Sequence, residues 1–383
     1  MADGGPTSSA AERFSRGEPV AVEIDKIERA FADLWKAASA SGEGTVSRAA
    51  LWNIVVPTRP QDVQRTRQVV DELAPLMPAR VLVLVEEEPE PGANAGADDG
   101  VRATIESNLV ARSSGTRVVY SEEITLRGKR GDSHFGSLVR ALLMPGLPTA
   151  TLWTDPMMPE ALLRRQLLPA TDRLVLDTGA CTRPRQLIEL QRCAELAGGM
   201  PVTDLGWLRL KNVRLLFAGM FDAPVGGGPL LAARRVRIHH REGYEPSALL
   251  LAAWLASTLG WLFSSADAPP SAAEARFRFD RPEAGGASIE IALCRAPGEC
   301  GTSGIVGIEL DAGDDRVFSV RRTEQNHATL TSPIAPPRVI KLDSRRDAEL
   351  ALAALGPAGR DPLFGRCLAL ASRLASSTSS TAT

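Results

Sequence analysis

Two hydrophobic patterns share this chain. In its first part, continuous apolar runs alternate with segments of helical spacing. Ala49–Val56 (AALWNIVV), Arg80–Val85 (RVLVLV), Leu147–Trp153 and Arg173–Asp177 are such runs. Each suits a strand covered on both faces, as in a parallel sheet, and Pro57 is expected to end the first of them. Between them, Asp25–Ser39, Gln61–Met77, the stretch from Gly131 to Met144, Pro159–Leu168 and Pro184–Ala197 space their apolar residues three and four apart. Strands alternating with helices of this length predict βαβ units. Arg102–Arg112 and Thr116–Leu126 flank Ser113-Ser114-Gly115, which predicts a hairpin. Asp204–Phe221 reads as one helix or two short ones, Val236–His240 as a strand and Pro246–Phe263 as a helix.

The second pattern begins near Ser265. Ala266–Glu274 has linker composition, and Pro89–Gly100 has that of a mobile loop. Ala275–Asp280, Ser288–Leu293, Ile305–Leu310, Val317–Arg321 and Ala328–Thr331 are short, alternating segments separated by turn residues. They predict an antiparallel meander with one wet face. Arg345–Leu355 and Pro362–Leu374 read as closing helices. The expected fold is therefore α/β. A layered, mostly parallel sheet domain over residues 20–265 precedes a smaller α+β domain over 266–375, with disordered ends at 1–19 and 376–383.

Composition narrows the function classes. Of 383 residues, 44% are hydrophobic and 23% charged, so a substantial core is expected. A net charge of −2 argues against a nucleic-acid partner. The five cysteines are too few and scattered for a disulfide framework, so reduced thiols in a cytoplasmic setting are expected. Cys294 and Cys300 lie close enough in sequence to pair across a turn. The first twenty residues lack the apolar core of a signal peptide. Ala248–Phe263, the longest apolar run, is 16 residues, short of the roughly 20 that span a bilayer, so no membrane association is expected.

Catalytic grammar is sparse. Neither a dinucleotide nor a phosphate-loop fingerprint surrounds Gly226-Gly227-Gly228, and no nucleophile elbow occurs. No metal motif includes His134, His239, His240 or His327, so neither metal nor cofactor is expected. His239 and His240, adjacent in a strand, point to opposite faces. Asp155, Asp177 and Asp204 sit at strand ends, where α/β enzymes place acids, but also where aspartate caps the next helix, which is the preferred reading. Arg234–Arg241 carries a basic strand that could meet phosphate or an acidic partner, with a solvated edge as the default.

The stretch Asp204–Phe263 holds three of the six tryptophans, Trp207, Trp254 and Trp261. Such side chains suit cores or protein contacts. Leu143–Pro156 (LMPGLPTATLWTDP), Asp172–Gly179 (DRLVLDTG), Asp204–Asp222 (DLGWLRL…FAGMFD) and Leu249–Trp261 (LLLAAWLASTLGW) together resemble the family of the glucose-6-phosphate dehydrogenase assembly protein OpcA. The likeness covers roughly residues 50–345 and lies in the order and spacing of the four segments. It implies a cytoplasmic, non-catalytic protein, catalytic residues none, that associates with glucose-6-phosphate dehydrogenase. Such a protein supports the active oligomer and so NADPH production. Candidate partner-interface residues are Trp153, Asp155, Trp207, Arg209, Trp254 and Trp261, with core packing as the alternative, preferred for Trp254 and Trp261. They lie seven apart and would share one helix face. The competing reading is an enzyme acting on a sugar phosphate through Asp155, Asp177, Asp204 and His240.

Overall fold

A computed structural model describes the chain apart from residues 1–12, 17, 41–44, 49, 88–100, 112–116, 130–134, 223–224, 268–273, 325, 344, 357–358 and 378–383. Expectations for most of both disordered ends, the loop after Pro89, the Ser113–Gly115 turn, most of the linker and His134 lie outside the described residues. The chain divides into two compact units. One comprises Met1–Leu152 and Ala161–Arg173, the other Trp153–Glu160 and Leu174–Thr383.

The first unit is built on β1 (Arg13–Arg16), β2 (Val20–Val22), α1 (Ile27–Ala40), β3 (Thr45–Arg48), β4 (Trp52–Thr58), α2 (Val63–Leu73), β5 (Ala79–Glu87), β6 (Arg102–Ala111), β7 (Arg117–Lys129), α3 (Phe135–Leu142) and β8 (Thr149–Trp153). Its strands run β1-β6-β7-β5-β4-β8, with β2 on β6 and β3 on β7. The pairs among β7, β5, β4 and β8 are parallel, while β6 returns antiparallel on β7 as the predicted hairpin. β5 is buried almost throughout, as its unbroken apolar run requires. α2 turns Val63, Val70 and Leu73 inwards.

Three expectations change here. Arg13–Arg16, inside the stretch expected to be disordered, pairs with Asn108–Ala111. Pro57 lies within β4 opposite Leu84 rather than ending it, because β8 accompanies β4 only from Asn53 to Val55. Where one neighbour has stopped, a missing N–H costs the ladder little. Asn53, 1% exposed, explains the Leu143–Pro148 turn: Met144 N donates to its Oδ1, and its Nδ2 donates to the carbonyls of Met144 and Leu147. Gly146 supplies the left-handed residue, at φ +79°. The helix expected over Pro159–Leu168 is one α-turn, α4 (Glu160–Leu162), running into a π-turn at Leu163–Leu167.

The second unit contains β9 (Arg173–Leu176), α5 (Gln186–Leu196), β10 (Val202–Asp204), α6 (Leu205–Arg209), α7 (Lys211–Gly219), α8 (Gly228–Ala232), β11 (Arg235–His240), α9 (Glu245–Leu259), β12 (Leu262–Ala266), β13 (Glu274–Arg281), β14 (Ala287–Arg295), β15 (Ile305–Asp311), β16 (Val317–Glu324), β17 (His327–Ser332), β18 (Ala335–Lys341), α10 (Asp347–Leu355) and α11 (Pro362–Ser376). β9 and β10 pair in parallel. The other strands form an eight-stranded sheet in the order β12-β13-β14-β11-β15-β16-β17-β18. Its pairs are antiparallel except β11 on β14. In β13, Ala275, Phe277 and Phe279 are fully buried while Arg276 and Arg278 face out, giving the expected wet face. α9 is apolar on all sides, and Glu245–Ala256 are all buried. It packs on β11, β14 and α11.

The chain is thus mixed α/β, with a mostly parallel sheet followed by a largely antiparallel one. The change of pattern near Ser265 falls inside the second unit. The reason is topological: β11, from before that point, lies between β14 and β15. That placement also makes the basic strand internal rather than a solvated edge. Val236, Ile238 and His240 point inwards, and Arg235 meets Glu290 at 2.7 Å. α9 stops at Leu259 because Gly260 takes a left-handed cap, so Leu262 and Phe263 belong to β12 instead.

Candidate functional site

Two of the four segments that carry the family resemblance fold against each other in the second unit. Asp177 directly follows β9 and Asp204 ends β10, and both act as caps. Gly179 N donates to Asp177 Oδ1 at 3.0 Å, and Trp207 N donates to Asp204 Oδ1. Thr178 ties the two together: its amide donates to Asp204 Oδ2 at 2.7 Å and its hydroxyl to Oδ1 at 2.6 Å. Arg209 then reaches back from α6. It forks onto both oxygens of Asp177 and donates to Asp347 Oδ1 at 2.8 Å, at the start of α10. The side chains of Arg209 and Asp177 are 5% and 3% exposed.

Glycine makes this knot possible. A Cβ at Gly206 would strike Thr178 Oγ1 and Gly179 N, and one at Gly179 would strike Arg209 Nη1. Neither glycine has a left-handed φ, so close approach is the reason. Burial raises Asp204 to about 7, with the nearby Asp177 charge adding to it and the three donors opposing it. The Arg209 guanidinium is held protonated by Asp177 and Asp347 against its burial. Burial, with Asp177 and Asp204 nearby, also pushes the Cys181 thiol well up.

Trp207 is a pin. Its Nε1 donates to Asp361 Oδ2 at 2.9 Å, and its ring tilts against Phe364 at 5.8 Å. Asp361 in turn caps α11, accepting from the amides of Leu363 and Phe364. Arg214 lies over the indole, 3.3 Å from its centroid, and donates to Trp207 O. Burial lowers Arg214 to about 10, still protonated at neutral pH.

The candidate interface residues thus fall beneath the surface. Trp153 is 1% exposed, Trp207 5%, Trp254 and Trp261 7% each, and Asp155 9%. Trp153 hydrogen-bonds to Cys193, whose thiol burial pushes up to about 12. Asp155 accepts from Met157 N at 2.8 Å, again a turn-forming role. Trp261 lies beyond the end of α9, so it does not share a helix face with Trp254. The structure brings together Asp177, Asp204, Trp207 and Arg209 but assigns them to packing and charge pairing. Thr178, Asp347, Asp361 and Arg214 escaped sequence reasoning. Only the Asp361-Pro362 pair, a helix-start signature, marked one of them.

His240 is fully buried, with Nδ1 on the carbonyl of Arg241 and burial lowering its pKa. All five cysteines, Cys294 and Cys300 included, are free. Among the described residues, no group of three or more His, Cys, Asp or Glu side chains could hold a metal ion, and no helix is long and apolar enough to cross a membrane.

A cleft of about 420 Å³ opens beside the knot. Leu208, Leu342 and Leu350 give it apolar lining, and Lys211, Arg322 and Arg345 give it positive charge. Arg345 is paired with Asp343 at 2.9 Å. Burial lowers the Arg322 pKa. Asn212 Nδ2 donates to Asp343 O, joining α7 to the segment before α10.

Residues 70–193 match the N-terminal domain, and residues 200–368 the C-terminal domain, of the family described as the glucose-6-phosphate dehydrogenase subunit. A Nostoc punctiforme protein with the provisional name OxPP cycle protein OpcA is 29% identical over 197 residues, 51% of this chain and 40% of that protein. A Synechococcus elongatus protein of the same name is 32% identical over 146 residues, 38% of this chain and 32% of that one. The matches therefore span less than half the length of either relative. Among solved structures, an NAD binding oxidoreductase from Klebsiella pneumoniae is 13% identical at a TM-score of 0.45, covering 86% of this chain and 96% of its own. A biliverdin reductase from Synechocystis is similar at 13% and 0.44, covering 86% and 99%. Likeness at that level says nothing about chemistry. With two matched domains in order over most of its length, the chain belongs to the glucose-6-phosphate dehydrogenase assembly protein OpcA family.

Proposed function

We propose that this protein is a non-catalytic partner of glucose-6-phosphate dehydrogenase that favours the enzyme's active oligomer and so supports NADPH formation in the cytoplasm. The observation that carries the reading is the match to both domains of that family. The fate of the strand-end acids supports it. Asp177 and Asp204 spend their oxygens on amides, a hydroxyl and a guanidinium, and Asp155 closes a turn. An enzyme acting on a sugar phosphate through these aspartates therefore has less support.

An assembly factor works by binding one state of its partner better than the other, since equal affinity shifts nothing. Moving a two-state equilibrium from one part in a hundred to ninety-nine requires a preference of about 10⁴-fold. The test mixes the purified chain with the dehydrogenase from the same cell and follows NADPH formation and sedimentation together. A rise in activity with a shift to a larger species is expected. If neither changes at saturating concentration, the reading fails.

A further inference from the structure

Lys211 and Leu215 stand one turn apart on α7 and both line the mouth of the 420 Å³ cleft. Leu215 is 60% exposed, and Lys211 is exposed with no ion pair among the described residues. One exposed leucine alone needs no explanation. A leucine at the rim of an apolar-floored cleft, next to a bare cation, is a different matter. Interfaces are anchored where an apolar side chain enters a pocket ringed by polar groups.

We propose that α7 and this cleft form the docking surface for a segment of the dehydrogenase that presents a carboxylate beside an apolar side chain. The inference rests on the reading above that this enzyme is the partner. Charge selects the acid: Arg209, Lys211, Arg322 and Arg345 face one lining carboxylate, Asp343. Arg209 and Arg345 already have carboxylate partners, and Arg322 is half-buried and engaged in an interaction of its own, so Lys211 is the exposed cation left to receive a new one. Shape selects the apolar neighbour. The floor of Leu208, Leu342 and Leu350 and the rim of Leu215 offer contact that a small, fully charged ligand would leave wet.

The experiment measures affinity of the full chain for the dehydrogenase, comparing wild type with Lys211→Glu, Leu215→Asp and, as a surface control, Leu262→Asp. Leu262 is 59% exposed on β12 and does not line the cleft. Circular dichroism and thermal melting should be unchanged in all three. Lys211→Glu and Leu215→Asp should each weaken binding tenfold or more, and Lys211→Glu should flatten its salt dependence. Leu262→Asp should stay within twofold. If wild type binds and the two cleft variants bind within twofold of it, the docking surface is elsewhere. If wild type does not bind at all, the partner reading itself fails. Glucose 6-phosphate serves as a second probe by calorimetry. Binding to wild type that Lys211→Glu abolishes would make the cleft a small-molecule site and overturn the docking inference.

Discussion

Replacing Arg209 by methionine isolates the energetics of the knot. The guanidinium and the Asp177 carboxylate are 5% and 3% exposed, so water screens neither. Methionine keeps most of the packing volume of the side-chain stem but leaves Asp177 charged, buried and holding only the Gly179 amide among its described contacts. Stranding one member of a buried pair costs about 3–5 kcal/mol. Asp347, at 34% exposed, is already partly screened by water, so its lost pairing adds little. The decisive comparison is the double variant Arg209→Met/Asp177→Asn, in which the stranded charge no longer exists. Because breaking a buried pair costs far more than replacing it, the double variant should be more stable than Arg209→Met alone by about 2 kcal/mol. Urea unfolding of the four proteins, read by circular dichroism and tryptophan fluorescence, checks this. A loss below about 1 kcal/mol for Arg209→Met, or an Asp177→Asn change that adds to the loss, would refute the reasoning.

Asp204 makes a pH prediction. Its folded value of about 7 lies above the ordinary 3.8, so the folded state holds a proton that the unfolded state has released. Its contribution to stability is fully present below about 4 and falls as pH rises to about 7, at about 1.4 kcal/mol per unit. Asp204→Asn should lack that slope in urea midpoints taken from pH 4 to 8, while losing about 1–3 kcal/mol because an amide NH₂ would face the Thr178 amide. Gly206→Ala should destabilise by several kcal/mol or prevent folding, since its Cβ meets Thr178 and Gly179 backbone; soluble expression and thermal melting check it. Asn53→Ala, which removes three hydrogen bonds from the Met144–Leu147 turn, should cost about 2–4 kcal/mol by urea unfolding.

The sequence was legible where one signal decided structure. The buried strand β5, the wet-faced β13 and the caps at Asp177 and Asp204 follow from apolar runs, alternation and a strand-end aspartate. It misled where two signals competed. Apolar residues continue past Leu259, but the left-handed Gly260 decided the end of α9. β18 contains Pro336 and Pro337 and so looks unlike a strand. As an exposed edge it needs few outward N–H groups and tolerates them. The placement of β11 between β14 and β15 was hidden for a different reason: strand order is a property of the whole sheet, not of any window of residues. The candidate tryptophans were identified by type, and residue type does not separate a buried indole from an exposed one.

The buried knot and the exposed pair proposed for docking, Lys211 and Leu215, share the segment Asp204–Asp222 but meet different constraints, and the knot explains how they cooperate. Gly179, Gly206, Asp177, Asp204 and Arg209 are bound by close approach and buried charge, so almost any substitution is costly. Lys211 and Leu215 carry no such constraint. Yet the cleft walls are held by the constrained set: Arg209 joins α6 to Asp347 at the start of α10, and Asn212 joins α7 to Asp343. Affinity gains when the bound geometry exists before binding, because ordering it then costs less. Arg209→Met should therefore weaken partner binding even at temperatures where the chain stays folded, by releasing α10 from α6. Lys211→Glu should weaken binding without lowering the melting temperature. A surface plasmon resonance series at several temperatures separates the two. If Arg209→Met binds like wild type below its melting transition, the knot stabilises the fold without shaping the surface beside it.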